Sequence, residues 1–132
     1  MSGRTAYLDT SAFVKLVVRE PESDALLRSL RQWPWRTSSA LLRTEALRAV
    51  GRQGQAAAAA TRRLLAGLHL IAVDEAVLDR AGELQPWGLR SLDAVHLATA
   101  LSLGSDLDAV VTYDARLAEG ARALGLEVVT PC

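Results

Sequence analysis

Apolar positions along this chain follow two periods in alternation. Brief runs such as TAYLD at 5–9 and DAVVT at 108–112 are strand-like: short, rich in β-branched or aromatic residues, and bounded by polar positions. The segments between them repeat at helical spacing. A helix capped by Thr10 or Ser11 runs through Phe13, Val14, Leu16 and Val17, and Pro21 separates it from an amphipathic helix over 22–32 carrying Leu26, Leu27 and Leu30 on one face. Trp33-Pro34-Trp35 predicts a turn, and 36–38 a short strand. A third helix over 39–51 uses Leu42, Ala46, Ala49 and Val50 and stops near Gly51 and Gly54. The alanine run at 56–60 continues into Leu64 and Leu65 as a strong helix former. Further on, 69–73 predicts a strand, 75–84 a helix, Pro86-Trp87-Gly88 a break, and 91–103 a long helix. A helix over 115–124 ends at Gly125, and 127–130 predicts a last strand.

Strands alternating with helices imply one α/β domain over 1–132, an α/β/α sandwich whose central, mostly parallel sheet is covered on both faces. The 132 residues suffice to bury a core without disulfides or structural zinc. Half the residues are apolar and 23% are charged, which excludes a disordered chain. No apolar run approaches the roughly 20 residues of a membrane span, and 1–9 lack the apolar stretch of a secretory signal. The single Cys, Cys132, excludes an internal disulfide framework and a cysteine metal cluster. The expected setting is the reducing cytoplasm, with no membrane partner.

Fifteen basic and fifteen acidic residues give a formal charge of zero, at first sight an argument against a nucleic-acid binder. The distribution changes that picture. Residues 28–63 carry eight Arg against the single acid Glu45, net +7, whereas 64–132 carry four Arg against ten acids, net −6. Fourteen of the basic residues are Arg, the better planar donor to phosphate, although a GC-rich coding sequence also yields Arg without selection for binding.

In open α/β sheets, ligands collect at the carboxyl ends of the strands. There the sequence places Asp9, closing the first strand, and Asp114, just past DAVVT. Asp93 falls in the first turn of the long helix, and Glu45 inside a helix whose other neighbours are apolar or Arg. Each has a purely structural reading: the three aspartates as caps at strand-to-helix junctions, Glu45 as a solvated partner of Arg43 or Arg48. Together they carry a second reading. Carboxylates brought close repel unless a proton or a cation intervenes. Oxygen donors without a His or Cys partner select a hard divalent ion, Mg²⁺ or Mn²⁺. Such an ion activates water and stabilises charge on a phosphoryl oxygen, the logic of phosphodiester hydrolysis.

Four segments in order, YLDTSAFVKL at 7–16, SSALLRTEALRA at 38–49, LRSLDAVHLATAL at 89–101 and VVTYDARLAEGARALGLEVVTP at 110–131, resemble the PIN-domain ribonucleases, and more narrowly the VapC-type toxins of toxin–antitoxin pairs. The resemblance spans nearly the whole chain. It implies a Mg²⁺- or Mn²⁺-dependent endoribonuclease with Asp9, Glu45, Asp93 and Asp114 as the catalytic, metal-binding acids, and Ser11 and Thr112 as the supporting hydroxyls of the D-x-S and T-x-D motifs. It also implies RNA as substrate, a homodimer, and a small VapB-like antitoxin as partner. The apolar surfaces of 13–17 and 26–30 are candidates to receive an antitoxin helix, and Arg43 and Arg90 are candidate RNA contacts. The alternative is a non-catalytic PIN-like scaffold that binds RNA or protein.

Other residues have weaker claims. His96 shares a helix face with Asp93, as a ligand or, more commonly, as a packed residue supporting one. His69 has no partner visible in the sequence. Trp33, Trp35 and Trp87 suit base stacking or packing. A haloacid-dehalogenase phosphatase needs D-x-D at the first strand, and here Thr10-Ser11 follow Asp9; a phospho-receiver domain needs a Lys at a late strand end, and the lone Lys is Lys15.

Overall fold

The computed structural model describes residues 4–132. Five strands, β1 (Thr5–Leu8), β2 (Trp35–Ser39), β3 (His69–Ile71), β4 (Leu107–Val111) and β5 (Val128–Val129), form one sheet in the order β3-β2-β1-β4-β5. Every pairing is parallel, so the sheet is wholly and not just mostly parallel. Among the described residues seven α-helices accompany it: α1 (Thr10–Val17), α2 (Ser23–Leu30), α3 (Leu42–Val50), α4 (Gln55–Ala66), α5 (Glu75–Glu83), α6 (Ser91–Leu101) and α7 (Ala115–Ala123).

Period-two alternation in the central strands builds a core on both faces. Ala6 and Leu8 of β1, with Ala109 and Val111 of β4, pack against Ala12, Leu26, Leu30 and Trp33. Tyr7 and Val110 point the other way, into Leu97 and Ala100 of α6 and Leu117 and Ala121 of α7. A third cluster, Phe13, Leu42, Ala46 and Leu65, fastens α3 and α4 to α1. Trp33 is therefore a core residue, its Nε1–H donating to Asp108 Oδ2 at 2.5 Å, while Trp35 and Trp87 are exposed.

The predicted elements all exist, with shifted ends. The strand read at 5–9 stops at Leu8, and Asp9 becomes the N-cap of α1 in place of Thr10 or Ser11. The helix read at 39–51 starts at Leu42, because Ser38 and Ser39 belong to β2. After Val50 a short 3-10 turn at Gly51–Gln53 leads to Gly54, whose φ of 102° only glycine adopts cheaply, and this separates α3 from α4.

The order of the strands sets the location of the site. From β1 the chain winds outward through β2 to β3, then crosses back over the sheet through α5 and α6 to β4 on the other side of β1. The carboxyl ends of β1 and β4 thus flank a topological switch point, where an open α/β sheet leaves a crevice.

Candidate active site

Asp9 stands at the carboxyl end of β1 and is almost wholly buried. Its Oδ1 accepts from Ser11 Oγ at 2.7 Å and from the Ala12 N–H at 3.0 Å, and its Oδ2 accepts from Thr112 Oγ1 at 2.6 Å. The D-x-S and T-x-D motifs set Ser11 to orient Asp9 and Thr112 to orient Asp114, or either hydroxyl to hydrogen-bond a water. In the structure both hydroxyls donate to Asp9, and Thr112 Oγ1 also accepts from the Asp114 N–H at 3.0 Å. Burial pushes the Asp9 carboxyl above the usual carboxylate value, opposed by the donors of Thr112, Ser11 and Ala12.

Asp114, beyond β4, caps α7: its Oδ1 accepts from the N–H groups of Arg116 at 2.8 Å and Leu117 at 3.1 Å. Asp93 is different. It lies in the first turn of α6, whose N-cap position belongs to Arg90, and its half-buried carboxylate accepts no hydrogen bond from any described residue. Burial and the nearby Asp114 charge, with a smaller push from Glu45, hold Asp93 above its ordinary value; His96 and Arg90 pull the other way. The capping reading therefore describes Asp9 and Asp114 and fails for Asp93.

Glu45, on α3, pairs with neither Arg43 nor Arg48. Its Oε1 accepts from Thr10 Oγ1 at 2.7 Å and lies 2.6 Å from His96 Nε2. Burial acts to raise Glu45, but the hydrogen bonds from His96 and Thr10 outweigh it, so the group lies below the usual range and is ionised. An ionised carboxylate only accepts, which places a proton on His96 Nε2, and His96 Nδ1 shares a hydrogen bond with the Tyr7 hydroxyl at 2.7 Å. Burial pushes the Tyr7 hydroxyl far above its ordinary value, in keeping with a phenol that keeps its proton. Tyr7, His96 and Thr10 thus hold Glu45 by one oxygen. His96 positions an acid, the second of the two roles read for it; Tyr7 and Thr10 were missed, and their only signal was their place beside Asp9.

His96→Ala should cost about 2–3 kcal/mol of folding stability, because it opens a buried space and orphans the Tyr7 hydroxyl. The Glu45 carboxyl should move upward as that donor is lost. Urea denaturation and a carboxyl NMR titration would check the two effects; an unchanged Glu45 titration would show that the ring does not hold it.

Two candidate arginines separate. Arg90 borders, with Asp93, a cavity of about 190 Å³ between the start of α6 and α7. Arg43 lies elsewhere, with Arg62 along a groove between α3 and α4. None of the arginines of 28–63 borders the Asp93 cavity.

The donor set suits a hard divalent cation. Among the described residues, Asp93 accepts no hydrogen bond on either oxygen, and Glu45 Oε2 and Asp114 Oδ2 accept none. No three His, Cys, Asp or Glu side chains among the described residues are grouped so that they could hold an ion as they stand.

An all-parallel sheet with Asp9 and Asp114 just past the ends of its neighbouring strands β1 and β4 defines a class that the sequence comparisons make specific. Residues 6–123 match the family model described as PIN domain. The chain belongs to the PIN-domain family. Among relatives, it is 56% identical over 125 residues to Ribonuclease VapC46 of Mycobacterium tuberculosis (strain ATCC 25618 / H37Rv), covering 95% of this chain and 96% of that protein. It is 45% identical over 130 residues to Ribonuclease VapC35 of the same strain, with the same coverage. Among solved structures it superposes on Mycobacterium tuberculosis VapC20, described as a Sarcin-Ricin loop cleaving toxin, with a TM-score of 0.75 at 19% identity over 96% of this chain and 99% of that one. VapBC2 from Rickettsia felis, bound to a DNA fragment from its promoter, gives 0.74 at 14% identity over 97% and 99%. At such identities these structures speak to the fold alone, and they agree with the all-parallel sandwich. The family resemblance carried by the four sequence motifs is borne out.

Proposed function

We propose that this protein is a Mg²⁺- or Mn²⁺-dependent endoribonuclease, the toxin of a toxin–antitoxin pair, whose metal is held by Asp9, Glu45, Asp93 and Asp114. The observation that carries this reading is Asp93, a half-buried carboxylate that accepts no hydrogen bond from any described residue, raised by its own burial and by Asp114. A protein gains nothing structural from such a group, and a cation relieves it. When bound, the ion supplies a water of lowered pKa and positive charge for the phosphoryl oxygen. The chain's own residues do the rest. Ser11 and Thr112 fix both oxygens of Asp9, and Thr10 and His96 turn Glu45 so that Oε2 remains free. Arg90 offers a planar donor to the RNA backbone beside Asp93.

The partner is a small VapB-like antitoxin. Phe13, Leu26 and Leu30 are buried in the core, so of the apolar surfaces expected at 13–17 and 26–30 the half-buried Val14, Leu16 and Val17 and the exposed Leu27 remain to meet an amphipathic antitoxin helix. The working form is a cytoplasmic homodimer. No helix among the described residues is long and apolar enough to cross a membrane.

Purified protein incubated with cellular RNA should cleave it in Mg²⁺ or Mn²⁺, stop in excess EDTA, and recover when metal is restored. Binding of RNA without cleavage in any metal would instead support the non-catalytic scaffold and overturn the enzyme reading.

A further inference from the structure

The cavity beside Asp93 contains more than the acid. It is bordered by Leu89, Arg90, Asp93, Arg116, Glu119 and Gly120, and encloses about 190 Å³. Neither Arg90 nor Arg116 has a side-chain hydrogen bond or ion pair to any described residue, and both are exposed. We propose that Arg90 and Arg116 form a subsite for one uncut phosphate of the RNA strand, next to the phosphodiester that is cleaved. The inference rests on the ribonuclease reading and adds to it the residues that seat the substrate.

Both arginines are fixed to the elements that carry the acids. Arg90 caps α6 three residues before Asp93, and its carbonyl accepts the Ala94 N–H at 2.9 Å. Arg116 follows Asp114 by two residues, and its backbone N–H is held by Asp114 Oδ1 at 2.8 Å. The two guanidinium stems therefore start at set offsets from two metal-facing carboxylates. Gly120 makes the close approach of α7 feasible: a Cβ there would lie 2.8 Å from Leu89 Cδ2 and 3.1 Å from Leu97 Cδ1. With no side chain at 120, Leu89 closes on α7 and adds an apolar wall to the cavity that the two arginines border.

Charge decides what fits. With Asp93 committed to the cation, the remaining lining charges are two guanidinium groups and Glu119. The surplus is one positive charge, which matches a single phosphodiester. Guanidinium forks bind phosphate oxygens in pairs, giving orientation as well as attraction. Both arginines come from the acidic half of the chain, so the +7 stretch at 28–63 is not what meets RNA at this point.

The test compares the parent protein with the Arg90→Ala/Arg116→Ala double variant and with Arg122→Ala, an exposed arginine of α7 outside the cavity. KM and kcat are measured on cellular RNA. Binding of a fluorescein-labelled, mixed-sequence 20-nucleotide single-stranded RNA is followed by anisotropy in EDTA across a range of salt, with all three proteins carrying Asp93→Asn so that the charge of that acid is absent. The double variant should raise KM about tenfold with kcat nearly unchanged. Its slope of log K against log salt should shrink by about 0.7, the value for one phosphate contact on a single strand. Arg122→Ala should change neither. A double variant with parental KM and salt slope, or an equal change in Arg122→Ala, would overturn the subsite. If the parent cleaves no RNA, the enzyme reading fails, while the anisotropy measurement still decides the subsite. Both arginines are exposed, and equal melting temperatures would confirm that the variants fold.

Discussion

Asp93→Asn should abolish RNA cleavage, lowering the rate by at least about 100-fold, while the protein stays at least as stable as its parent. Loss of groups that merely support metal ligands already costs about 10–100-fold, and removing a ligand costs more. Stability should survive because Asp93 accepts no hydrogen bond that the change would break. The pH dependence follows from the direction of its shift. In the folded protein Asp93 binds its proton more tightly than at the ordinary value of 3.8. That contribution favours folding fully below the ordinary value and is lost as pH rises through the raised folded one. Asn removes this dependence, so in EDTA the variant should gain on its parent as pH climbs out of the carboxylate range. Urea midpoints at several pH values, with gel assays of cleavage, check both parts. A variant that still cuts RNA at the parental rate would remove Asp93 from the site.

Asp9 should behave in the opposite way. Asp9→Ala is expected to lose cleavage and, in addition, about 2–4 kcal/mol of stability, from a lost N-cap of ~1 kcal/mol and buried donors left unpaired at about 1–3 kcal/mol. The hydroxyls of Ser11 and Thr112 and the Ala12 N–H would all lose their acceptor. Asp9→Asn separates the two roles. Its amide keeps one acceptor for Ser11 and Ala12, and Thr112 Oγ1 can turn to accept from the new NH₂. Burial disfavours the charge on Asp9, so the neutral amide should recover most of the stability while cleavage remains absent. Denaturation of the three proteins, read beside their activities, distinguishes an acid that only caps a helix from one that also serves chemistry.

The contrast between these aspartates marks how far the sequence alone could go. Alternating periods located every strand and helix, and the four motifs located the acids, because both depend on residue type at fixed spacing. Which acid caps and which stands free depends on where each helix starts. Asp9 and Asp114 directly precede their helices, whereas Asp93 sits one turn inside α6 behind Arg90. A shift of a few residues in a helix start, beyond what spacing resolves, decides the hydrogen bonding of each carboxylate. The Tyr7–His96–Glu45 chain was illegible for a different reason. It joins β1, α6 and α3, and no local pattern announces a contact between residues 89 or 51 positions apart. Composition left the place of the Arg-rich stretch open: its net charge is real, and the arginines beside Asp93 come from the acidic half.

The placement of β1 bears on how the protein is made. Of the five strands, β1 is made first yet lies in the middle of the finished sheet, and its partner β4 follows only about a hundred residues later. Asp9 and Thr112, which share a hydrogen bond, are 103 positions apart. Such distant pairing carries a large loop-closure cost and forms slowly. An unfinished chain ending before β4 would expose one edge of β1 and hold neither Thr112 nor Asp114. The proposed metal site thus comes into being only once β4 has been made, and products of a damaged message broken off before it would be born harmless.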